Sequence, residues 1–456
     1  MLALSLLALI EGALLFAAAS LRDPLAHLPL FLGLYGGAFG ACVLAARAAR
    51  TAGLGALTAG TLLFVIAVGA IFRAFFLPTP PALSGDVHRY VWDARAQAAG
   101  INPFAHAPNA PEVAFLRDAD TDKINHSEIS TIYPPVSQAV FRVAAAIAPG
   151  PLGMKILFGL VSLVLPLAAV VWLRPEAADW LPALVLLAWH PLLVIESAGS
   201  GHNDPLAVLL LLAAVGAAHR ERAGLAGALL GLAAGAKTLP LLLAPLFALA
   251  LGRRRALPFA ASLAATLLLG YLPFARAGDG LVGGLRAYAF RLEFNSSVHA
   301  IARSLLTRAG APYALHDALP SLLPLGVIAA QPFLFRTAGR DLPRALFLTL
   351  GALVVVGSQV HPWYMIWILP FAAARRSTPW IAFSLLVFLS YATHALHQAT
   401  GVWREPVWVR AAQYVPLFAL VARDAVRLNA ARARAHDGTP SRGSSPPPRP
   451  SRGPSP

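Results

Sequence analysis

The 456-residue chain is 57% hydrophobic and only 12% charged, about half the charge of an ordinary soluble domain, with a mean hydropathy of +0.65. That excludes a soluble globular enzyme and leaves an all-α polytopic integral membrane protein. The formal charge of +15 falls in short Arg clusters between apolar runs, which is the positive-inside pattern of membrane insertion and not a nucleic-acid footprint.

Residues 2–20 are apolar without a basic leader or a cleavage site, so a retained first helix is expected, with Glu11 turned towards other helices because lipid would penalise it. A second span, about 28–46, ends at Arg47 and Arg50 and places that turn in the cytoplasm; a third, about 55–77, returns outward, with Arg73 expected to snorkel to the interface. The polar stretch that follows is therefore extracytoplasmic. Segment 131–149 begins Tyr133-Pro134-Pro135 and contains Arg142; a non-crossing interfacial helix there keeps every later basic cluster (Arg174, Arg220/Arg222, Arg253–Arg255, Arg336/Arg340/Arg344, Arg375/Arg376) inside. The remaining spans are expected near 153–173, 180–197, 204–218, 224–236, 238–251, 256–274, 313–333, 344–358, 363–374, 379–396 and 409–426, for a bundle of about 12–14 helices, some tilted or broken. Residues 1–426 then form one membrane domain with its large first outside loop at 78–152, and the Arg/Ser/Gly/Pro-rich 427–456 reads as a disordered cytoplasmic tail.

The chemistry concentrates at breaks between spans. After a Pro-rich exit, Ser84 and Asp86 stand at a helix N-cap position, and Asp86, Arg89, Tyr90 and Asp93 share one helical face. One account is a cap plus an Arg89–Asp93 pair; the other is a carboxylate at a membrane mouth serving as general base. Gly100 and Pro103 in GINPF end that helix around Asn102, and Tyr133 restarts an apolar one. Glu196 and the run Ser200–Pro205, with His202, Asn203 and Asp204, lie close to bilayer depth and are candidate substrate contacts, Asn203 or Asp204 otherwise capping a helix. His202 with Asp204 is the one suggestion of a metal site and lacks a third ligand at diagnostic spacing, so no cofactor is expected. Lys237, between two short apolar segments, either meets a phosphate, pairs with a buried acid such as Glu196, or snorkels to the interface. Arg286 and Arg291 follow as candidate phosphate clamps or interfacial anchors, and QVHPWYMIWILPF brings His361, Trp363 and Tyr364 to the outer face. Cys42 stands alone, which excludes a disulfide framework.

GDVHRYVWDARAQAAGINPF, YPP, SGHNDPLAVLLLL, GLAAGAKTLPLLLAPL and QVHPWYMIWILPF, in that order over about 84–371, resemble the GT-C superfamily of lipid-phosphate-sugar-dependent glycosyltransferases, and glycosyltransferase family 87 mannosyltransferases in particular. The resemblance implies a GT-C-like bundle and transfer of a hexose, most simply mannose, from a polyprenyl-phosphate donor to a lipid or glycan acceptor. It also implies an active site outside a bacterial inner membrane. It maps the acidic base onto Asp86 and the donor phosphate onto the Lys237 and His361 segments. One departure is that two spans precede the one leading into the Asp86 loop, where GT-C proteins have this loop after the first. A transporter or lipid flippase is the competing class, and it should show internal repeats, which this sequence lacks.

Overall fold

The computed structural model describes residues 1–53, 58–291 and 293–437. Among these, the regular structure is helical apart from one isolated parallel bridge between Phe294 and Gln359. Helices α1 (Leu2–Ala19), α2 (Leu28–Thr51) and α3 (Ala59–Phe76) form the first layer, and Glu11 on α1 is fully buried between them and their neighbours. After α3 come α4 (Asp86–Ala98), α5 (Pro135–Ile147) and α6 (Pro151–Leu173). Next are α7 (Trp180–Trp189) and α8 (Pro191–Val194), which runs into a π-helical turn at Ile195–Gly199. Then follow α9 (Asp204–His219), α10 (Ala223–Ala236), α11 (Ala244–Leu251), α12 (Arg253–Tyr271), α13 (Gly280–Arg291) and α14 (Val298–Arg308). The chain closes with α15 (Tyr313–Ala329), α16 (Gln331–Thr337), α17 (Leu342–Val356), α18 (Leu369–Arg375), α19 (Thr378–Leu386), α20 (Tyr391–Thr400) and α21 (Val407–Asp437).

Among the described residues, six helical stretches are long and apolar enough to cross a membrane, and two bent pairs, broken by 44° and 43°, raise the number to eight. This is a multi-pass membrane protein. By length the crossings are fewer than the expected twelve to fourteen, because α9, α10 and α17 have only 16, 14 and 15 residues. At 1.5 Å per residue these reach about 21–24 Å, short of a hydrocarbon core near 30 Å. Helix α21 continues past Arg427 to Asp437, so the start of the expected tail is helical; residues 438–456 lie outside the described part.

The break at His190-Pro191 explains one buried charge. The His190 ring accepts from the Leu192 N–H (3.2 Å), freeing the Ala188 carbonyl, which Arg73 Nη1 then satisfies (2.8 Å) while its Nε donates to Ser162 Oγ (2.8 Å). Arg73, expected to snorkel outward, is instead buried as the pin across this kink.

The bundle has two chemically different ends. At one, Arg50 and Arg376 both pair with Asp179 (3.0 and 3.3 Å), Arg375 pairs with Asp341 (2.9 Å), and Arg174 lines the same crevice. At the other lie the exit of α3 and the whole of α4. Helix α5 begins and ends at this second end: it starts beside Tyr133, and at the α5–α6 corner Lys155 donates to the Leu77 carbonyl (3.0 Å) after α3. The corner is tight enough that a Cβ on Gly153 would sit 2.1 Å from the Ala144 carbonyl.

Candidate active site

A cavity of about 700 Å³ opens at this second end. One wall is the turn into α4, with Ser84, Asp86, His88, Arg89, Asn125 and Tyr133; the other comes from distant sequence, with Glu293, Phe294, Gln359, His361, Trp363, His394, His397 and Trp403. Backbone pairing builds the far wall. Phe294 N–H donates to Ser358 O (2.9 Å) and Val360 N–H to Phe294 O (2.8 Å), so the loop after α13 is stitched to the loop carrying His361.

Asp86 is the first residue of α4, its N–H bonded to Ser84 Oγ (3.3 Å). Burial pushes its carboxyl above the ordinary carboxylate range; the positive charge of Lys237 and a hydrogen bond from the Tyr133 phenol oppose that, and Asp204 adds to it. The rest of the predicted helical face divides by depth. Asp93 is fully buried and accepts from Arg89 Nε (2.9 Å), Thr131 Oγ1 (2.5 Å) and Gln138 Nε2 (2.8 Å), so it clamps the entry to α5 onto α4. The Arg89–Asp93 pair therefore forms as the spacing suggests. Arg89 also lines the cavity, and its Nη2 is buried without a hydrogen-bond partner. Tyr90 is stacked on Phe141 (4.5 Å) beneath the site with its hydroxyl 3.5 Å from Asn203 Oδ1. Asn102 holds its own turn, bonding Phe104 N–H (3.0 Å) and Phe274 O (3.1 Å), and does not line the cavity.

The Ser200–Pro205 run packs behind Asp86. Gly201 has φ +75°, and a Cβ there would lie 2.9 Å from Val87 Cγ2, so only glycine lets this turn approach α4. Asn203 Nδ2 donates to Ser137 Oγ (2.8 Å), tying the turn to α5. His202 is fully buried, 3.8 Å from Asp86 Oδ2 and 3.5 Å from Glu196 Oε2, and stacks on Trp363 (3.9 Å). Trp363 in turn stacks on His361 (4.3 Å), and His361 on Phe294 (4.6 Å), so four rings form a column from behind Asp86 into the far wall. Tyr364 packs edge-on against His361 (5.5 Å) and supports the column from outside the cavity. Burial holds the His361 imidazole well below its usual range, hence neutral at pH 7.

Lys237 does pair with a buried acid, but the acid is Asp204: Nζ lies 2.6 Å from Oδ2, while Oδ1 accepts from Trp367 Nε1 (2.7 Å). The same pairing takes Asp204 away from His202, and among the described residues no group of three His, Cys, Asp or Glu side chains is placed to hold a metal ion. Arg286 is exposed on α13 and does not line the cavity; the side chain of Arg291 lies outside the described residues. His394, His397 and Trp403 line the cavity but carried no weight in the sequence. Two His three residues apart at the end of an apolar segment were the available signal.

The family described as alpha-(1->6)-mannopyranosyltransferase, N-terminal domain, matches residues 11–253, just over half of the chain and the part that carries Asp86, Glu196, His202 and Lys237. The alpha-(1->6)-mannopyranosyltransferase A of Mycobacterium tuberculosis (strain ATCC 25618 / H37Rv) is 26% identical over 392 residues, covering 76% of this chain and 74% of the relative. No solved structure matches the chain.

Proposed function

Since the chain belongs to the alpha-(1->6)-mannopyranosyltransferase family and is a membrane mannosyltransferase, we propose that its donor is a polyprenyl-phosphate mannose and its acceptor a lipid or glycan hydroxyl. The cavity end then faces the outside of a bacterial inner membrane and the Arg-rich end the cytoplasm. The segregation of Arg50, Arg174, Arg375 and Arg376 to the end opposite Asp86 supports that orientation.

The single observation that carries the mechanism is Asp86: a partly buried carboxylate, 25% exposed, at the inner wall of a cavity large enough for a sugar. The acceptor oxygen attacks the anomeric carbon as Asp86 takes its proton, and the bond from that carbon to the phosphate oxygen breaks with its electron pair leaving on the phosphate. A carboxylate in partly desolvated surroundings is a stronger base than one in water, which suits it to a hydroxyl. A single displacement inverts the anomeric carbon, so an alpha-linked product requires a beta-linked donor. The leaving phosphate is met by Arg89, whose Nη2 is unpartnered, and by His361, with His394 and His397 beside it; donors aimed where charge develops lower the barrier most. Lys237 and Arg286 have no part in this arrangement: the first is paired with Asp204 and the second does not line the cavity.

The test is transfer from radiolabelled polyprenyl-phosphate mannose in membranes. Wild type should transfer label, and Asp86→Asn should be slower by about 10²–10⁴-fold, the usual worth of a general base. Unchanged turnover in that variant removes Asp86 from the role.

A further inference from the structure

The residues behind Asp86 form a line that the transfer reaction itself does not use. Tyr391 O–H donates to Glu196 Oε1 (2.7 Å), Glu196 Oε2 lies 3.5 Å from His202 Nε2, and His202 Nδ1 lies 3.8 Å from Asp86 Oδ2. Glu196 and His202 are both 0% exposed. Glu196 Oε2 and the two His202 ring nitrogens are the members of this line buried without a hydrogen-bonded partner. Buried polar atoms rarely stay that way, and here the unpaired atoms face one another. The ring plane is set by the Trp363 stack and the loop by the His202 N–H bond to Glu196 O (2.9 Å). Glu196 sits in the π-helical turn, an irregularity that helices retain mostly at functional positions.

We propose that Glu196 and His202 are positioning residues for Asp86. Glu196, held by Tyr391, turns the His202 ring so that Nδ1–H faces Oδ2 of Asp86, and the second carboxylate oxygen is left to take the acceptor's proton. This rests on Asp86 being the base. Both gaps exceed a hydrogen bond by well under 1 Å, the looseness that sites show before substrate seats. Of the two carboxylates flanking the imidazole, Glu196 is 0% and Asp86 25% exposed, so a single negative charge costs least on Asp86, the one that faces the cavity. Glu196 therefore keeps the proton it shares with Nε2, while Asp86 is ionised and ready. A carboxyl group orienting an imidazole that orients the reacting group is a general arrangement; here the last member is itself a carboxylate.

The ionisable groups around the line are Lys237, Asp204, His126, Tyr90 and Tyr133 towards Asp86, Lys237 and His361 towards His202, and Asp204 and Tyr35 towards Glu196, with the Ser200 hydroxyl beside it. None of these is altered by the substitutions proposed. His202→Phe keeps the stack on Trp363 and removes both nitrogens; Glu196→Leu removes the carboxyl, and Glu196→Gln restores a donor and an acceptor. Transfer from polyprenyl-phosphate mannose is measured against pH for these variants and Asp86→Asn. The expected result is a kcat lower by roughly 10–100-fold in His202→Phe and Glu196→Leu, the usual cost of a lost orienting partner. Donor KM should stay within about threefold, and Glu196→Gln should recover most of the rate. Loss of the Nδ1–H donor also destabilises ionised Asp86, so the acid limb of the profile moves to higher pH. If Asp86→Asn is inactive while His202→Phe and Glu196→Leu keep wild-type kcat and acid limb, the positioning role is overturned and the base stands. If they lose rate with an unmoved limb and Glu196→Gln does not recover it, the pair is only structural. If Asp86→Asn is active, the base itself is wrong.

Discussion

Lys237 is where a phosphate ligand and a structural ion pair make opposite forecasts. Its Nζ is 2.6 Å from an oxygen of Asp204, with Lys237 22% and Asp204 0% exposed. At an effective dielectric near 20, that separation corresponds to a gross attraction of about 6 kcal/mol, most of which offsets the desolvation of the two groups. Lys237→Met leaves the Asp204 carboxylate buried with only the Trp367 indole N–H, a loss of about 3–5 kcal/mol. In a protein of this size that lowers the apparent unfolding midpoint by on the order of 3–5 °C. The double variant Lys237→Met/Asp204→Asn removes the stranded charge and should regain most of the loss. The assay is thermal unfolding in micelles at one scan rate, run beside donor KM in membranes. A Lys237→Met protein as stable as wild type but with donor KM raised more than tenfold would refute this assignment and restore Lys237 to the phosphate.

Three further outcomes are expected. Burial raises the folded pKa of Asp86, so its stabilising contribution is present below the ordinary carboxylate pKa of about 4 and is lost as pH rises through the folded value; Asp86→Asn should therefore gain heat stability relative to wild type as pH rises above about 4, as melting curves on either side of that pH will show. Gly201→Ala must adopt φ +75° and meet Val87, costing about 1–3 kcal/mol and displacing His202, so turnover should fall more than stability alone explains. His361→Ala should lower kcat and kcat/KM together, by about 10²-fold, with donor KM little changed, the mark of an interaction made as charge develops on the leaving phosphate.

Much of this was legible in the chain because local physics decided it. The i, i+4 spacing of Arg89 and Asp93 gave their pair, and a short helix beginning at Tyr133-Pro134-Pro135 was recognisable before its corner with α6 was known. A buried acid was one expectation for Lys237, but spacing could not choose between Glu196 and Asp204. The choice follows from where the α9 start meets the end of α10, with the Trp367 indole on the other oxygen. His394, His397 and Trp403 reach the cavity only because the Phe294–Gln359 bridge fixes the far wall beside them, and a bridge between residues 65 positions apart leaves no local trace. Arg73 misled for the converse reason: near the end of a span it suits the interface, but a carbonyl freed by the break at Pro191 gave it a buried acceptor.

The residues that matter share a backbone property more than a motif. Asp86 opens α4, Glu196 lies in the π-helical turn, His202 in the turn before α9, Asp204 at the α9 start, Lys237 just past the end of α10, and His361 immediately before a short 3₁₀ turn. In a bilayer, unpaired backbone groups are tolerated only where protein or a water-filled cavity satisfies them, so breaks in helices gather around the cavity. Basic side chains elsewhere in the bundle use the groups such breaks free, as Arg73 does with the Ala188 carbonyl and Lys155 with the Leu77 carbonyl. The shortness of α5, α9 and α10 is then a consequence of the site. Restoring continuous helix through Gly199–Asp204 would lengthen a span but carry His202 off the back of Asp86.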